Sequence, residues 1–265
     1  MKISNGKKLF TLYKKDLAAS KFETLLILGF IIVGNLFLLY KTKTAWPLDM
    51  AIALSMLALG FVPLFTFFKA FNFIREEWKE NTVYFMMSLP TTGNIIFLSK
   101  FLALLTQFFI LGAVALTFSI SFILMQSGIQ QAWIAMRGIG DMQQAIWEIS
   151  KVGIIMFLSF AMVIITAFFS AVVGKLFRKF SGLITFIVFI ATNYVSTKSI
   201  AEIMELITEG MSNPYIQKEM MVGGTVVFSQ ILPNSIFMSI IILIIITSIL
   251  LFLATTTIYD KKVEL

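Results

Sequence analysis

Five charged residues within six positions, Arg75, Glu76, Glu77, Lys79 and Glu80, stand between two long apolar runs. The chemistry open to them is electrostatic docking rather than bond-breaking, because no base–nucleophile pair accompanies them. Asn81 and Thr82 follow, then an apolar run over 83–89 broken only by Ser88, then Pro90 and the turn-forming Thr91-Thr92-Gly93-Asn94. Charge is costly in hydrocarbon, so a charged and then amphipathic insert between apolar runs reads as a docking element outside the membrane. A soluble partner gripping it would move the flanking runs together.

Catalytic alternatives do not assemble. The chain has no histidine and no cysteine, which removes the commonest general base, the commonest metal ligand, and any thiolate site or disulfide. Glu76-Glu77 has no histidine partners, and Gly210-Met211-Ser212 lacks the glycine that follows a nucleophilic serine. No G-x-x-x-x-G-K-S/T occurs; Gly6-Lys7 and Gly174-Lys175 lack both the upstream glycine and the following hydroxyl. We therefore expect a chain that is not an enzyme, with no cofactor of its own.

The elements that must carry the docking cluster are membrane helices. The chain is 58% hydrophobic and 13% charged, with a mean hydropathy of +0.92, outside the range of ordinary soluble domains. Six runs approach the roughly 20 apolar residues a span needs: 22–40, 50–74, 101–125, 152–174, 180–197 and 236–259, the fifth being the shortest. Strict alternation is absent, which favours helices over a barrel. Placing the N-terminus, the 75–100 and 175–179 segments, Lys69 and the C-terminus on one side gives it 15 Lys/Arg and 7 acidic residues. The other side then holds 6 Lys/Arg and 7 acidic residues. The positive-inside rule thus predicts both termini in the cytoplasm. The net charge of +7 is accounted for by topology and anionic lipid, without a nucleic-acid partner.

The first apolar run is too long for a signal-peptide core and reads as a retained span. Before it, Leu9, Phe10, Tyr13 and Leu17 share one helical arc flanked by Lys7, Lys14 and Lys21, with Leu12 off the stripe. This predicts an interfacial helix over 1–21, although a basic tail serving only as a topology signal fits the same residues. The spans are nearly bare of charge: Glu23 begins the first, Lys69 sits near the end of the second where it can snorkel, and nothing acidic falls inside the third to sixth. Ion-coupled transport, which usually leaves ionisable groups near the midplane, fits poorly.

Asn35, Gln107 and Asn193 are the conspicuous polar residues within spans, facing either a translocation path, a dimer seam or a neighbouring helix as glue. Thr166, Ser170 and Gly174, with Ala167 and Ala171 beside them, form a small-residue stripe that admits a close helix neighbour. Pro63 predicts a kink in the second span. Two external loops are expected, 126–151 with Trp133, Arg137, Asp141, Trp147 and Glu148, and 198–235. The second opens with an amphipathic helix (Ile200, Ile203, Met204, Leu206 and Ile207 against Glu202, Glu205 and Glu209) capped by Gly210. A hairpin or re-entrant pair over 215–228 would follow. No linker, low-complexity tract or repeat divides the chain, so one transmembrane domain over 1–265 is expected.

Glu77, Glu80, Thr82, Ser88-Leu89-Pro90 and Lys100 resemble the segment that joins the second and third spans in permease subunits of type-2 ABC exporters. Asn81 departs from it, standing where that family usually has glycine. The resemblance covers about 25 residues in motif, and the six-span plan with both ends inside agrees along the chain. It implies an all-α membrane protein of six transmembrane helices with a cytoplasmic coupling helix within 75–94. It also implies ATPase contact through Arg75, Glu76, Glu77, Lys79, Glu80, Thr82 and Pro90, with ATP and magnesium bound by a separate cassette subunit. The permease would be a homodimer or a heterodimer in a bacterial plasma membrane. Abundant Phe and Met suit a hydrophobic or amphipathic cargo such as a peptide, with drugs and lipids also open. A non-transporting scaffold or immunity protein is the alternative reading.

Overall fold

The computed structural model describes residues 4–79, 91–137, 142–177, 179–209 and 233–262. All regular structure among them is helical: α1 (Asn5–Ala19), α2 (Lys21–Thr44), α3 (Leu48–Lys79), α4 (Gly93–Arg137), α5 (Met142–Lys175), α6 (Ser181–Glu209) and α7 (Asn234–Lys262). Helices α2 to α7 are each long and apolar enough to cross a membrane. Continuous helices satisfy their own backbone hydrogen bonds, which hydrocarbon demands. The chain is a multi-pass membrane protein, all-helical among the described residues.

The helices run further than the apolar windows. Arg75 to Lys79 are the last turns of α3 rather than a separate loop, because no glycine or proline interrupts residues 64–79 and Arg75, Glu76, Glu77 and Lys79 are good helix formers. At 1.5 Å per residue α3 is about 48 Å long against roughly 30 Å of hydrocarbon, so its charged end projects beyond the membrane core. The expected 126–151 loop is mostly helix: α4 continues to Arg137 past a break at Gly128 (φ 70°, ψ 146°), and α5 begins at Met142. Glycine reaches that left-handed conformation at no steric cost. Residues 198–209 extend α6, so the fifth span helix has 29 residues and the amphipathic run is its last part. Gly210 and the hairpin region 215–228 lie outside the described residues. Helix α3 is continuous across Pro63.

By internal contacts the chain divides into two compact units, Met1–Ile129 with Thr256–Leu265, and Gln130–Thr255. In the first, α2 and α3 run antiparallel, and α4 parallels α2. Ile31 packs with Val62, Leu111 and Ala115 in one layer, and Leu38 with Ala51 and Phe122 in the next. Ser55 and Ser119 pair across α3 and α4 at 3.0 Å. In the second unit α5 and α6 approach closely. A Cβ on Gly174 would overlap Thr185 Oγ1 and come to 2.9 Å of the Ser181 carbonyl oxygen. The end of the small-residue stripe therefore faces α6 of the same chain. The turn between them carries Phe180 at φ 62°, 77% exposed.

Helix α1 exists as expected, with Leu9, Tyr13 and Leu17 of the expected arc half-buried, but the most buried positions are others. Leu12, the residue off the arc, is buried together with Asp16, while Phe10 is exposed. Spacing of apolar residues missed this because polar bonds, described next, set the packed face.

Candidate functional site

The first unit concentrates charge at the end where α1, the start of α2, the end of α3 and the start of α4 meet. Asp16, in the last turn of α1, and Ser20, the residue that caps it, are four residues apart on one side. The Asp16 carboxylate accepts a hydrogen bond from Ser99 Oγ at 2.9 Å and faces Lys100 Nζ at 3.6 Å. Asp16 is 3% exposed and Lys100 1%. Ser99 also lies 2.8 Å from the Ile96 carbonyl, so its single proton is shared. Ser20 Oγ donates to the Asp16 carbonyl at 2.8 Å and accepts from Gln107 Nε2. One turn earlier, Tyr13 and Thr106 pair at 2.9 Å; because the Thr106 hydroxyl donates to Leu102, tyrosine is the donor. Helix α1 is thus stitched along α4 by polar bonds.

A second pair lies beside the first. Lys69 of α3 bonds Glu23 of α2 and sits 3.9 Å from Glu76, one α3 stretch further on. Lys69 is 4% exposed, with the two carboxylates within its reach. The Phe73 ring joins the two pairs, with Lys69 Nζ 5.2 Å and Lys100 Nζ 5.3 Å from its centroid. A third tie reaches the start of α4 from the last turns of α7. Gly93 N–H donates to Asp260 Oδ1 at 2.9 Å, placing a carboxylate on the positive end of a helix, and Tyr259 meets Phe97 edge-on at 5.2 Å.

No family model, curated protein or solved structure matches this chain. Its functional reading therefore rests on residues and geometry.

Of the candidate docking residues, Arg75 and Lys79 are exposed on the last turns of α3, four residues apart on one face. Glu76 is half-buried and turned back toward Lys69. Glu77 lies on the same helix, and Glu80, Thr82 and Pro90 fall outside the described residues. Asn35 is buried, its Nδ2 donating to Ile31 O at 2.8 Å while Oδ1 has no hydrogen-bond partner. Gln107 belongs to the α1 cluster, its Oε1 likewise without a hydrogen-bond partner. Asn35 sits deeper, between the Ile31 and Leu38 layers, so the structure does not bring these two together. Asn193, in the second unit, bonds its own Phe189 carbonyl at 2.9 Å.

The sequence reading passed over Asp16, whose signal is visible afterwards: one acid among Lys7, Lys8, Lys14, Lys15 and Lys21. It also placed Glu148 and Lys151 in a loop. Both are buried on α5, paired at 2.7 Å, inside a helix apolar enough to span. Glu148 lies six residues into α5, which at 34 residues is about 51 Å long, so the pair sits in the part of the helix that precedes its apolar run from Val152. Lys151 Nζ lies 5.7 Å from the Trp147 ring and 5.9 Å from Phe237.

Proposed function

We propose that this chain is the membrane-spanning permease subunit of an ATP-driven exporter of the type-2 ABC class. A separate cytoplasmic ATPase, which binds ATP and magnesium, energises it through the segment between α3 and α4. The observation that carries the reading is the pinning of both stems of that segment. The end of α3 is held by Glu23–Lys69–Glu76, and the start of α4 by Asp16–Ser99–Lys100 and by Asp260. Partner force on residues 75–90 would reach α1, α2, α3 and α4 through buried, directional contacts instead of dissipating in a loose loop. Exposed Arg75 and Lys79 are available to an acidic partner surface, and Glu77, Glu80, Thr82 and Pro90 complete the proposed contact. The cargo is hydrophobic or amphipathic, a peptide in first place, and the permease works as a dimer in a bacterial plasma membrane.

The test is affinity purification of the tagged full chain from its host in mild detergent, with partners identified by mass spectrometry. A Walker-type ATPase should co-purify stoichiometrically, and Glu77→Lys with Glu80→Lys should abolish its recovery while the chain still reaches the membrane. Recovery of the chain alone, even after crosslinking, would instead favour a scaffold or immunity protein.

A further inference from the structure

The mouth of the α2/α3 groove carries more acid than base. Among the described residues that meet there, Glu23 and Glu76 face a single cation, Lys69. Lys69 is buried, whereas both carboxylates are about half exposed, so one negative charge is left facing outward. Directly beside it a cavity of about 260 Å³ runs between the helices, walled by Leu26, Ile27, Phe65 and Phe68, with Glu23, Lys69 and Asn72 at the polar end and Glu76 reaching Lys69 from just outside the lining. Leu26 and Phe68 are exposed on the outer surface, so the cavity opens toward the surroundings of the bundle. Its volume is below the roughly 300 Å³ of a drug-sized site, which suits a single apolar chain.

Depth follows from helix rise. Glu23 stands 21 residues before the end of α2 at Thr44, and Lys69 stands 21 residues after the start of α3 at Leu48. Each interval is about 32 Å, the thickness of the hydrocarbon core, so the carboxylates sit at headgroup level while the apolar walls extend into the acyl region. Acid at the headgroup and grease below match one kind of neighbour in charge and in polarity.

We propose that this groove is a binding site for a membrane lipid whose headgroup ends in a primary ammonium. The ammonium would sit against Glu23 and Glu76, which supply acceptors for its three donors, and one acyl chain would lie along Leu26, Ile27, Phe65 and Phe68. This inference is independent of the exporter reading, since it requires only the α2/α3 pair. Lys21 and Arg75 are the nearest cations along the two helices. Were they to set the preference, an anionic lipid would win instead.

The experiment uses the purified full chain and native mass spectrometry, with phosphatidylethanolamine and phosphatidylglycerol of identical acyl chains supplied in equal amounts. Phosphatidylethanolamine should be retained at least about threefold more, a preference well within what one charge-assisted contact supplies. Glu76→Gln should lower the preference toward unity without unfolding the chain, because Lys69 keeps Glu23. Leu26→Trp should fill the groove and reduce retained phosphatidylethanolamine to the phosphatidylglycerol level. Phe68→Ala, at an exposed position and so without a folding penalty, should weaken retention of both lipids. Equal retention by the unaltered chain, a preference for phosphatidylglycerol, or retention unchanged in both groove variants would overturn the proposal. The outcome does not depend on whether an ATPase is ever found.

Discussion

Breaking the Asp16–Lys100 pair should destabilise the protein more than breaking any surface pair, and breaking both halves together should cost less than either alone. The two charges are 3.6 Å apart and both buried. At an effective dielectric near 20 their attraction is about 4.6 kcal/mol. Removing only one partner leaves the other uncompensated, a loss of roughly 3–5 kcal/mol for a buried pair. Lys100→Met should therefore lower the unfolding free energy by about that amount. Asp16→Asn should lose somewhat less, since its amide oxygen still accepts from Ser99. The double variant removes both desolvation penalties and should recover all but about 1–2 kcal/mol, the remainder reflecting the lost Lys100–Phe73 contact. Equilibrium unfolding of the four proteins in one detergent, arranged as a double-mutant cycle, measures the coupling. A coupling below about 0.5 kcal/mol, the limit within which independent sites add, would refute the reasoning that charge holds α1 to α4.

Four further outcomes are expected. Gly174→Ala should cost about 1–3 kcal/mol through overpacking against Thr185 and the Ser181 carbonyl, read as a lower melting temperature. Gly93→Ala would bring a Cβ to 2.7 Å of Asp260 Oδ1, displacing the carboxylate. A loss of about 1 kcal/mol in melting experiments, absent when the same change is made in Asp260→Ala, checks this. Phe180→Gly should leave stability unchanged or raise it by up to about 1 kcal/mol, because the left-handed backbone costs an aromatic residue roughly that much. Glu148→Gln and Lys151→Met should each lower stability by about 3–5 kcal/mol while the pair of changes costs much less, testable by the same unfolding cycle.

Much of the architecture was legible because lipid imposes it locally. Six helices follow from six apolar runs and from the need to satisfy every backbone group within hydrocarbon. Helix ends were the weak point. A hydropathy window stops at the first charges, as at Arg75, Lys151 and Lys198, whereas the backbone stops only where propensity or geometry fails. That is why α3, α5 and α6 each ran on through residues read as loops.

The candidate site was legible only in part. Arg75 to Glu80 stood out because charges beside apolar runs are visible one residue at a time. The partners that fix the two stems of that segment did not: Lys69 on α3 meets Glu23 from 46 positions away, and Ser99 on α4 meets Asp16 from 83. Apolar content is a sum along the chain, so the sequence by itself determined the class, the number of spans and the charged segment between the second and third. Which carboxylate faces which ammonium depends on the rotation and register of each helix against its neighbours. Those are set by packing such as Ile31 on Val62 and Leu111, so only the tertiary structure decided that α1 is a docked helix and that Lys69 and Lys100 are buried.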